Sequence, residues 1–300
     1  RLLSRGLGDV YKRQGSFQSD TAFLDIDTAL AKPSGSSFVD CGFIAKYDAL
    51  GNLLWSKAYN ATSNVYGVAI GNNNELYIAG SVWGGVNFGG GVVVSSASGG
   101  SSAAFIVKLD PLTGNGIWGK KGDGAGADYA VDITFDPVRK RVIMAGIVGT
   151  GNLIQFLPLS VTNGNGIPDI FVASYDELGN IQWVKNGSGN CNQYVNEVKC
   201  DANGHVYLSG TFYNSTLSFA GSSCPNNGDY DGYVYKLHWS SGNAMWSNNF
   251  GGSGVDGISD LEITSTGVYV SHYYSTGSMT YDGNLLKSNR GFQSLSLIHI

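Results

Sequence analysis

Residues 43–55 read Phe-Ile-Ala-Lys-Tyr-Asp-Ala-Leu-Gly-Asn-Leu-Leu-Trp, and related versions of this phrase occur four times in the chain. Its first half is rich in the aromatic and aliphatic residues that favour strands. It then breaks at Asp-x-x-Gly-Asn, in which the Asp side chain caps a tight turn and the glycine takes a positive φ. The phrase therefore predicts two antiparallel strands joined by a short turn, with the tryptophan on the second strand.

The phrase belongs to a long sequence repeat. Its tryptophans are Trp55, Trp118, Trp183 and Trp246, which lie 63, 65 and 63 residues apart. A second phrase, Leu-Tyr-Ile-Ala-Gly at 76–80, recurs in related form at 142–146, 206–210 and 268–272. A further aromatic recurs at Phe23, Phe88, Phe156, Phe219 and Tyr281. Features that recur in one phase at a fixed period indicate a repeat architecture.

Each repeat contains four strand signals separated by turn signals, which is typical of a four-stranded antiparallel β-propeller blade. The inner strands are predicted at 65–70, 129–135, 194–200 and 257–263. The second phrase is predicted to form the second strand, the first phrase the third strand, and the tryptophan to lie on the outer strand. A parallel β-helix has much shorter rungs, and a β-sandwich does not repeat its sequence. The predicted fold class is therefore all-β, a β-propeller.

The composition agrees with this fold and excludes several others. Glycine accounts for 44 of 300 residues, and only 14% of residues are charged, against roughly 25% in an average globular protein. The aromatic content of 12% is too high for a disordered chain. The net charge of −5 without a basic patch argues against nucleic-acid binding. The apolar runs are shorter than the roughly 18 residues of a membrane span.

The repeat resembles the bacterial seven-bladed propeller repeat, known as the SBBP repeat. The resemblance rests on Phe-Ile-Ala-Lys-Tyr-Asp-x-x-Gly-Asn-x-x-Trp, on Tyr-Gly-x-Ala at 66–69, on Tyr-Ile-Ala-Gly at 77–80 and on Val-Asn-Phe-Gly-Gly at 86–90. It implies a secreted or surface-attached bacterial protein without known catalysis. It also implies a ring of about seven blades, of which the chain would supply about four to five.

The two ends carry an unusual relation. One short DNA sequence, read in opposite directions, encodes both Asp-Val-Tyr-Lys-Arg-Gln at 9–14 and Leu-Ser-Leu-Ile-His-Ile at 295–300, and it resembles a transposon adaptor used in sequencing libraries. Segments of this origin are excluded from reasoning about the fold. We therefore expect 1–14 and 295–300 to be non-native and 15–294 to be part of a propeller, a fragment of metagenomic origin.

The phased tryptophans are predicted to be structural, since a large ring at a fixed place in each blade packs well against the next blade. Sugar stacking on a ring of tryptophans is the alternative. Asp-x-x-Thr-Gly-x-x-x-Trp at 110–118 also matches the tryptophan-docking motif of quinoprotein propellers. Trp83, outside the repeat phase, is predicted to be less important for stability.

Asp132, Glu197 and Asp260 occupy comparable places on three predicted inner strands, and Ala69 is assigned to the fourth. Inner strands line the central channel of a propeller, so these acids are predicted to form either a solvated acidic channel or a ligand or cation site at its mouth. No cofactor is predicted. The alternative is Ca²⁺, which needs several converging oxygens, at this channel or at the calcium-like loop 163–169.

The four cysteines, Cys41, Cys191, Cys200 and Cys224, lack the paired short spacings of a zinc site. Cys191 and Cys224 fall in loops expected on one face, and we expect them to form a disulfide in an oxidising compartment. Cys41 and Cys200 fall in predicted strands as small core residues.

These observations predict a non-enzymatic binding or structural module of a secreted or cell-surface bacterial protein. Its partner would be a protein or a polysaccharide, contacted through the loops 58–65, 81–104, 122–129, 148–169, 186–193, 211–231 and 249–255. The alternative is a propeller enzyme, for instance a polysaccharide lyase, a glycosidase or a quinoprotein, with Asp132, Glu197 and Asp260 as its candidate acids.

Overall fold

The structure, a computed structural model, describes residues 10–19, 21–24, 29–31, 40–59, 62–97, 100–151, 153–163, 166–275, 278–281, 284–287 and 294–299. These residues form five successive β units, numbered 1 to 5 along the chain.

Unit 1 contains β1 (Val10–Phe17), β2 (Thr21–Phe23), β3 (Ala29–Ala31), β4 (Cys41–Asp48) and β5 (Leu53–Ala58). Unit 2 contains β6 (Thr62–Ile70), β7 (Leu76–Trp83), β8 (Gly85–Asn87), β9 (Val93–Ser95), β10 (Ala103–Leu109) and β11 (Gly116–Gly122). Unit 3 contains β12 (Tyr129–Asp136), β13 (Arg141–Val148), β14 (Ile154–Phe156), β15 (Leu159–Val161), β16 (Asp169–Asp176) and β17 (Ile181–Ser188). Unit 4 contains β18 (Asn192–Cys200), β19 (Val206–Tyr213), β20 (Leu217–Phe219), β21 (Ser222–Cys224), β22 (Tyr230–Leu237) and β23 (Ala244–Gly251). Unit 5 contains β24 (Asp256–Ile263), β25 (Val268–Tyr274), β26 (Ser278–Tyr281), β27 (Asn284–Lys287) and β28 (Ser294–His299).

The long strands of units 2, 3 and 4 form antiparallel sheets in the predicted order. The sheets run β6-β7-β10-β11, β12-β13-β16-β17 and β18-β19-β22-β23 from the inner to the outer strand. Units 1 and 5 have three long strands each among the described residues, in the orders β1-β4-β5 and β24-β25-β28. Each sheet is a propeller blade, which confirms the predicted all-β propeller fold.

The hydrophobic core lies between the blades. Because successive strand residues point to opposite faces, Ile78 of β7 packs toward unit 1 and Tyr77 toward unit 3. In the same way Ile143 packs in the cluster shared with unit 4, while Met144 belongs to the cluster shared with unit 2. The second strands are therefore buried on both faces, which explains why their sequence reads as a nearly continuous apolar run.

The inner strands lie close to their predicted bounds, and all four contain a β-bulge at one place. The bulge falls between Val65 and Gly67 in β6 and between Ala130 and Asp132 in β12, with equivalents in β18 and β24. Gly67 therefore stands where the other units have an acid, and the assignment of Ala69 to that place is wrong. The acid would not fit there, because a Cβ at Gly67 would lie 2.9 Å from Ile133 Cγ2.

A short hairpin follows the second strand in every unit, and the sequence analysis did not predict it. The hairpins are β2–β3, β8–β9, β14–β15, β20–β21 and β26–β27. Each contains the further aromatic that recurs from Phe23 to Tyr281. In unit 4 the hairpin pairs with the outer strand of the preceding unit, where Phe219 lies opposite Gly187. In unit 5, Tyr281 lies opposite Phe250 of β23 in the same way. The hairpins of units 4 and 5 thus join neighbouring blades by backbone hydrogen bonds.

Parts of the end segments are strands in this structure. β1 begins at Val10 and pairs with β4, and β28 pairs with β25 in the place of a third strand. Unit 5 therefore has a third strand among its described residues, where the sequence pattern alone suggests only two strands. The adaptor-like origin of 1–14 and 295–300 stays a prediction.

Candidate binding face

Each phased tryptophan of units 1 to 3 contacts the next blade through the same pair of interactions. Its indole Nε1–H donates to a carbonyl in the turn between the third and outer strands of the next unit. The distances are 3.2 Å from Trp55 to Pro111 O, 3.0 Å from Trp118 to Glu177 O and 2.9 Å from Trp183 to Trp239 O. The interaction is therefore a repeated contact between blades.

The ring of each tryptophan also lies over the turn glycine of that next unit. A Cβ at Gly114, Gly179 or Gly242 would lie 2.5–2.9 Å from an indole carbon. All three glycines have positive φ, from 67° to 80°, so this position needs glycine both for backbone conformation and for space. The Gly-Asn pair that these three turns share thus belongs to the turn, and its glycine also receives the neighbouring tryptophan.

The turn face is the end of the blades that carries these tight turns, and the loop face is the opposite end. The loops between units and the hairpins between second and third strands lie on the loop face, since Asp123 at the end of β11 bridges to Gln155 of β14. The predicted contact loops belong to this face. Residues 60–61, 98–99, 152 and 164–165 of those loops lie outside the described residues.

The three predicted channel acids bind backbone amides. Val198 N donates to Asp132 Oδ2 at 3.0 Å, which links units 3 and 4. Leu261 N donates to Glu197 Oε2 at 3.0 Å, which links units 4 and 5. Asp260 accepts from the N–H of Leu261 at 2.9 Å. The first two acids therefore fix consecutive inner strands to each other.

Asp132 thus lies at the boundary of units 3 and 4 and Glu197 at the boundary of units 4 and 5, whereas the Asp260 bond stays within unit 5. Lys199 lies 3.4 Å from Glu197 Oε1 and neutralises its charge. Among the described residues, no group of three His, Cys, Asp or Glu side chains is arranged to hold a metal ion. In the calcium-like loop, Asn163 Nδ2 donates to Gly149 O and Ile167 O, so this amide closes the loop by its own hydrogen bonds.

A second set of acids lies buried beneath the loop face. Asp128 precedes β12, and its carboxylate accepts the N–H groups of Gly124 at 2.6 Å and Gly149 at 2.8 Å. Asp256 is equivalent in unit 5 and accepts from Gly252 at 2.5 Å and Ser275 at 3.2 Å. Each carboxylate therefore ties together two loops of the loop face. Burial raises the pKa of Asp128 to about 6 and also raises the pKa of Asp256.

In unit 4 the residue equivalent to Asp128 and Asp256 is Gln193. Its hydrogen-bond partner is an acid from unit 3. Gln193 Nε2 donates to Asp169 Oδ1 at 2.7 Å. Burial raises the pKa of Asp169 to about 7. At the next boundary both places are occupied by acids, Asp231 and Asp256, and both are fully buried. Burial, together with the nearby Asp256 charge, raises the pKa of Asp231 to about 7.

Sequence reasoning missed these buried acids. The available signal was an Asp where the inner strand begins, at 128 and 256, or within the first two residues of the third strand, at 169 and 231. It was overlooked because the four sites alternate between two repeat positions.

A row of tyrosines crosses the loop face of units 2 to 4, and we call it the tyrosine row. Its members are Tyr66 on β6, Tyr129 on β12, Tyr194 on β18, Tyr213 on β19 and Tyr230 on β22. The side chains of Tyr66 and Tyr194 are 43% and 42% exposed, and the other three are half-buried. The row therefore presents aromatic rings to solvent at the end of the blades where the loops lie.

The rings of the row contact each other. Tyr194 and Tyr213 stack with ring centroids 6.5 Å apart, and Tyr213 and Tyr230 have centroids 4.3 Å apart. Burial raises the pKa values of Tyr194 and Tyr230, and the neighbouring Tyr213 phenol raises them further. Burial is the main cause that raises the pKa of Tyr129, with Tyr194 and Tyr66 as its nearby phenols.

A cavity of about 240 Å³ opens beside the row, between units 3 and 4. It is lined by Ala127, Tyr129, Ile147, Gly149, Thr150, Pro168, Asn192, Gln193 and Tyr194. None of these lining residues carries a charge. A second, more open depression of about 480 Å³ lies between the outer strands of units 3 and 4, around Lys185 and Gly221. The cavity at the tyrosine row is the more enclosed of the two and lies among the predicted contact loops.

The predicted disulfide is not formed. All four cysteines are free thiols, with Cys191 and Cys224 buried. Cys191 Sγ lies 3.6 Å from Thr216 O, and the Cys224 thiol contacts the Tyr235 hydroxyl. Each thiol is thus packed in the core between units 3 and 4 with a partner of its own, and burial raises the pKa of Cys191 to about 11.

Comparison with known proteins gives no family. No family model matches the chain, so the SBBP resemblance rests on the phrases quoted above. The chain is 29% identical over 146 residues to an uncharacterized WD repeat-containing protein of Acanthamoeba polyphaga mimivirus. The match covers 45% of this chain and spans a tenth of that relative's length.

Three solved structures are similar at low identity. A protein of unknown function from Bacteroides caccae shares 11% identity at a TM-score of 0.36 and covers 76% of this chain and 78% of its own. Quinohemoprotein alcohol dehydrogenase from Comamonas testosteroni shares 10% at 0.36, covering 90% and 55%. BamB from Moraxella catarrhalis shares 13% at 0.32, covering 95% and 91%. At these TM-scores the likenesses carry no functional argument.

No helix within the described ranges is long and apolar enough to cross a membrane.

Proposed function

We propose that this chain is a non-catalytic binding module that contacts its partner through the loop face. The observation that carries the proposal is the tyrosine row and the uncharged cavity beside it, next to loops that buried carboxylates hold in place. Loops positioned by a rigid scaffold are where propellers and other β folds bind ligands. The partner is a protein or a polysaccharide, and the SBBP resemblance favours a secreted or cell-surface bacterial protein.

The channel acids support binding over catalysis. Asp132 and Glu197 each accept a backbone N–H of the next blade, so their carboxylates are engaged in holding blades together. Glycoside hydrolysis uses two carboxyl groups that flank one bond at a distance of about 5–9.5 Å. Here one oxygen of each carboxylate is occupied by a backbone N–H of the next blade, which favours the structural role.

The test compares the two ends of the blades. Thr150→Arg and Ser253→Arg alter exposed positions of the loop face, and Val138→Arg and Leu178→Arg are matched changes at exposed positions of the turn face. Binding to dextran, yeast mannan, laminarin, alginate, mucin and fibronectin is measured by surface plasmon resonance. Each sample is also assayed for new reducing ends and for the ultraviolet absorbance of lyase products.

We expect at least one probe to bind without turnover, and we expect the loop-face variants alone to lose this binding. Loss of binding in the turn-face variants, or binding to none of the probes, would contradict the proposal. Turnover that disappears in Asp132→Asn or Glu197→Gln would establish the enzyme alternative instead.

A further inference from the structure

We infer that the tyrosine row and its cavity form a binding site for a neutral saccharide, with one sugar ring in the cavity and neighbouring sugars along the row. This inference rests on the proposed function and specifies the ligand class of the loop face. It is carried by four observations: the contacting aromatic rings, the polar groups beside the cavity, the absence of charge in its lining and the size of the cavity.

The aromatic rings provide the stacking surface. Tyr194 belongs both to the cavity wall and to the stacked group with Tyr213 and Tyr230. Tyr129 is the equivalent residue of unit 3 and also lines the cavity. A pyranose ring has an apolar C–H face that packs on an aromatic ring, and tyrosine adds a polar group at the ring edge. Rings on three consecutive blades suit a ligand that consists of several linked rings.

The polar groups suit the hydroxyl-rich edge of a sugar. Tyrosine hydroxyls, the Thr150 hydroxyl and the Asn192 amide each offer both a donor and an acceptor. Gln193 beside them is fixed by Asp169 at 2.7 Å and by Ile170 N at 3.3 Å. This part of the wall is therefore held in position before a ligand binds, which lowers the entropy cost of binding.

The charge distribution disfavours ionic ligands. The cavity lining contains no Lys, Arg, Asp or Glu. Tyr66 and Tyr230 lie at the two ends of the row, and the charged groups that raise their pKa values, after burial, are Asp40 and Asp229, both negative. A phosphate, a sulfate or a uronic acid would meet no cation there and would be repelled at both ends of the row. A neutral sugar meets neither penalty.

The cavity size favours a single ring over a larger compact ligand. Small-molecule pockets are typically about 300–1,000 Å³, and this cavity measures about 240 Å³. Proline-rich peptides also bind aromatic-lined surfaces, but they offer few groups to match so many hydroxyl donors. The peptide is therefore the competing ligand that the experiment must separate from the sugar.

The experiment is affinity electrophoresis and calorimetric titration of the full chain with dextran, yeast mannan and laminarin as neutral probes. Alginate is the anionic probe, and a ten-residue proline peptide is the peptide probe. We expect binding to a neutral polysaccharide, and we expect Tyr194→Ala to weaken it roughly tenfold, as truncation of an aromatic anchor does. Leu178→Ala, at an exposed apolar side chain of the turn face, is the control and should change binding less than about twofold.

Other results would overturn the inference. Absence of binding to all three neutral polysaccharides, stronger binding of alginate or the proline peptide, or equal binding by Tyr194→Ala and wild type would each do so. Circular dichroism of each variant shows whether it has folded, and Tyr194→Phe serves as a milder second variant. If Thr150→Arg abolishes binding and Tyr194→Ala does not, binding at the loop face is supported and the saccharide site at the tyrosine row is refuted. If only Leu178→Arg abolishes binding, both proposals fail.

Discussion

Replacing Trp183 by alanine should weaken the contact between units 3 and 4 more than any exposed tryptophan could. The side chain of Trp183 is only 5% exposed, and its Nε1–H donates to Trp239 O at 2.9 Å. Truncation of a buried tryptophan typically costs about 3–5 kcal/mol through lost burial and the cavity left behind. Trp83 is 52% exposed, so Trp83→Ala should cost less than about 1 kcal/mol.

A double-mutant cycle with Gly242 tests the geometry itself. A Cβ at Gly242 would lie 2.5 Å from Trp183 Cε3, and Gly242 has φ of 67°. Gly242→Ala should therefore cost both backbone strain and displacement of the indole in the wild type. In the Trp183→Ala background only the strain remains, about 1–2 kcal/mol. The cost of Gly242→Ala should thus be clearly smaller in that background.

The assay is urea unfolding followed by far-ultraviolet circular dichroism, whose signal does not depend on the removed indole. Hydrogen exchange on the same samples shows whether the loss is confined to units 3 and 4, as expected for a repeat array. Equal costs of Trp183→Ala and Trp83→Ala would refute the blade contact. An unchanged cost of Gly242→Ala in both backgrounds would refute the position of the ring.

Three further predictions concern the buried groups. Asp231 has its pKa raised from 3.8 to about 7 in the folded chain, so its contribution to stability is complete below pH 4 and is lost as the pH rises through 7. Asp231→Asn should therefore gain up to roughly 4 kcal/mol relative to wild type between pH 4 and pH 8, measured by urea unfolding across that range, and a constant difference would contradict the raised pKa. Glu197→Ala should cost about 1–2 kcal/mol, because Leu261 N loses its acceptor from unit 4 and keeps only Asp260 of its own strand, whereas Glu262→Ala at an exposed side chain should cost much less. If both cost the same in urea melts, Glu197 does not link the blades. Because all four cysteines are free, dithiothreitol should leave the melting temperature unchanged, and the denatured protein should show four reactive thiols. A count of two reactive thiols would show that a disulfide forms after all.

The fold could be predicted because each strand carries a local signal. The inner strand predicted at 129–135 is observed as Tyr129–Asp136, and its turn is fixed by Asp136, which accepts the N–H of Val138 at 2.9 Å. The hairpins could not be predicted, since strands of three residues such as Leu217–Phe219 are too short for a periodic pattern. They form because the outer strand of the preceding blade supplies backbone partners.

The candidate site could be predicted only in part. The loops were predicted because they follow from the strand order. The tyrosine row was missed because its members occupy different repeat positions: Tyr66 is the extra residue of a bulge, Tyr213 ends a second strand and Tyr230 begins a third. The disulfide was wrong because the shared face of two loops does not fix where a thiol points. The distance between two side chains is set by packing, which a repeat pattern does not encode.

Hydrogen exchange with mass spectrometry tests directly whether the loop face of these blades is the binding surface. It compares amide protection in the free chain with protection in the chain saturated by the polysaccharide that it binds best. If the loop face binds, new protection appears at 122–129, 189–194 and 211–231. No new protection appears at the turns 48–52, 110–116, 176–181 and 238–244. Protection confined to those turns, or to the inner strands around Asp132 and Glu197, would contradict binding at the loop face.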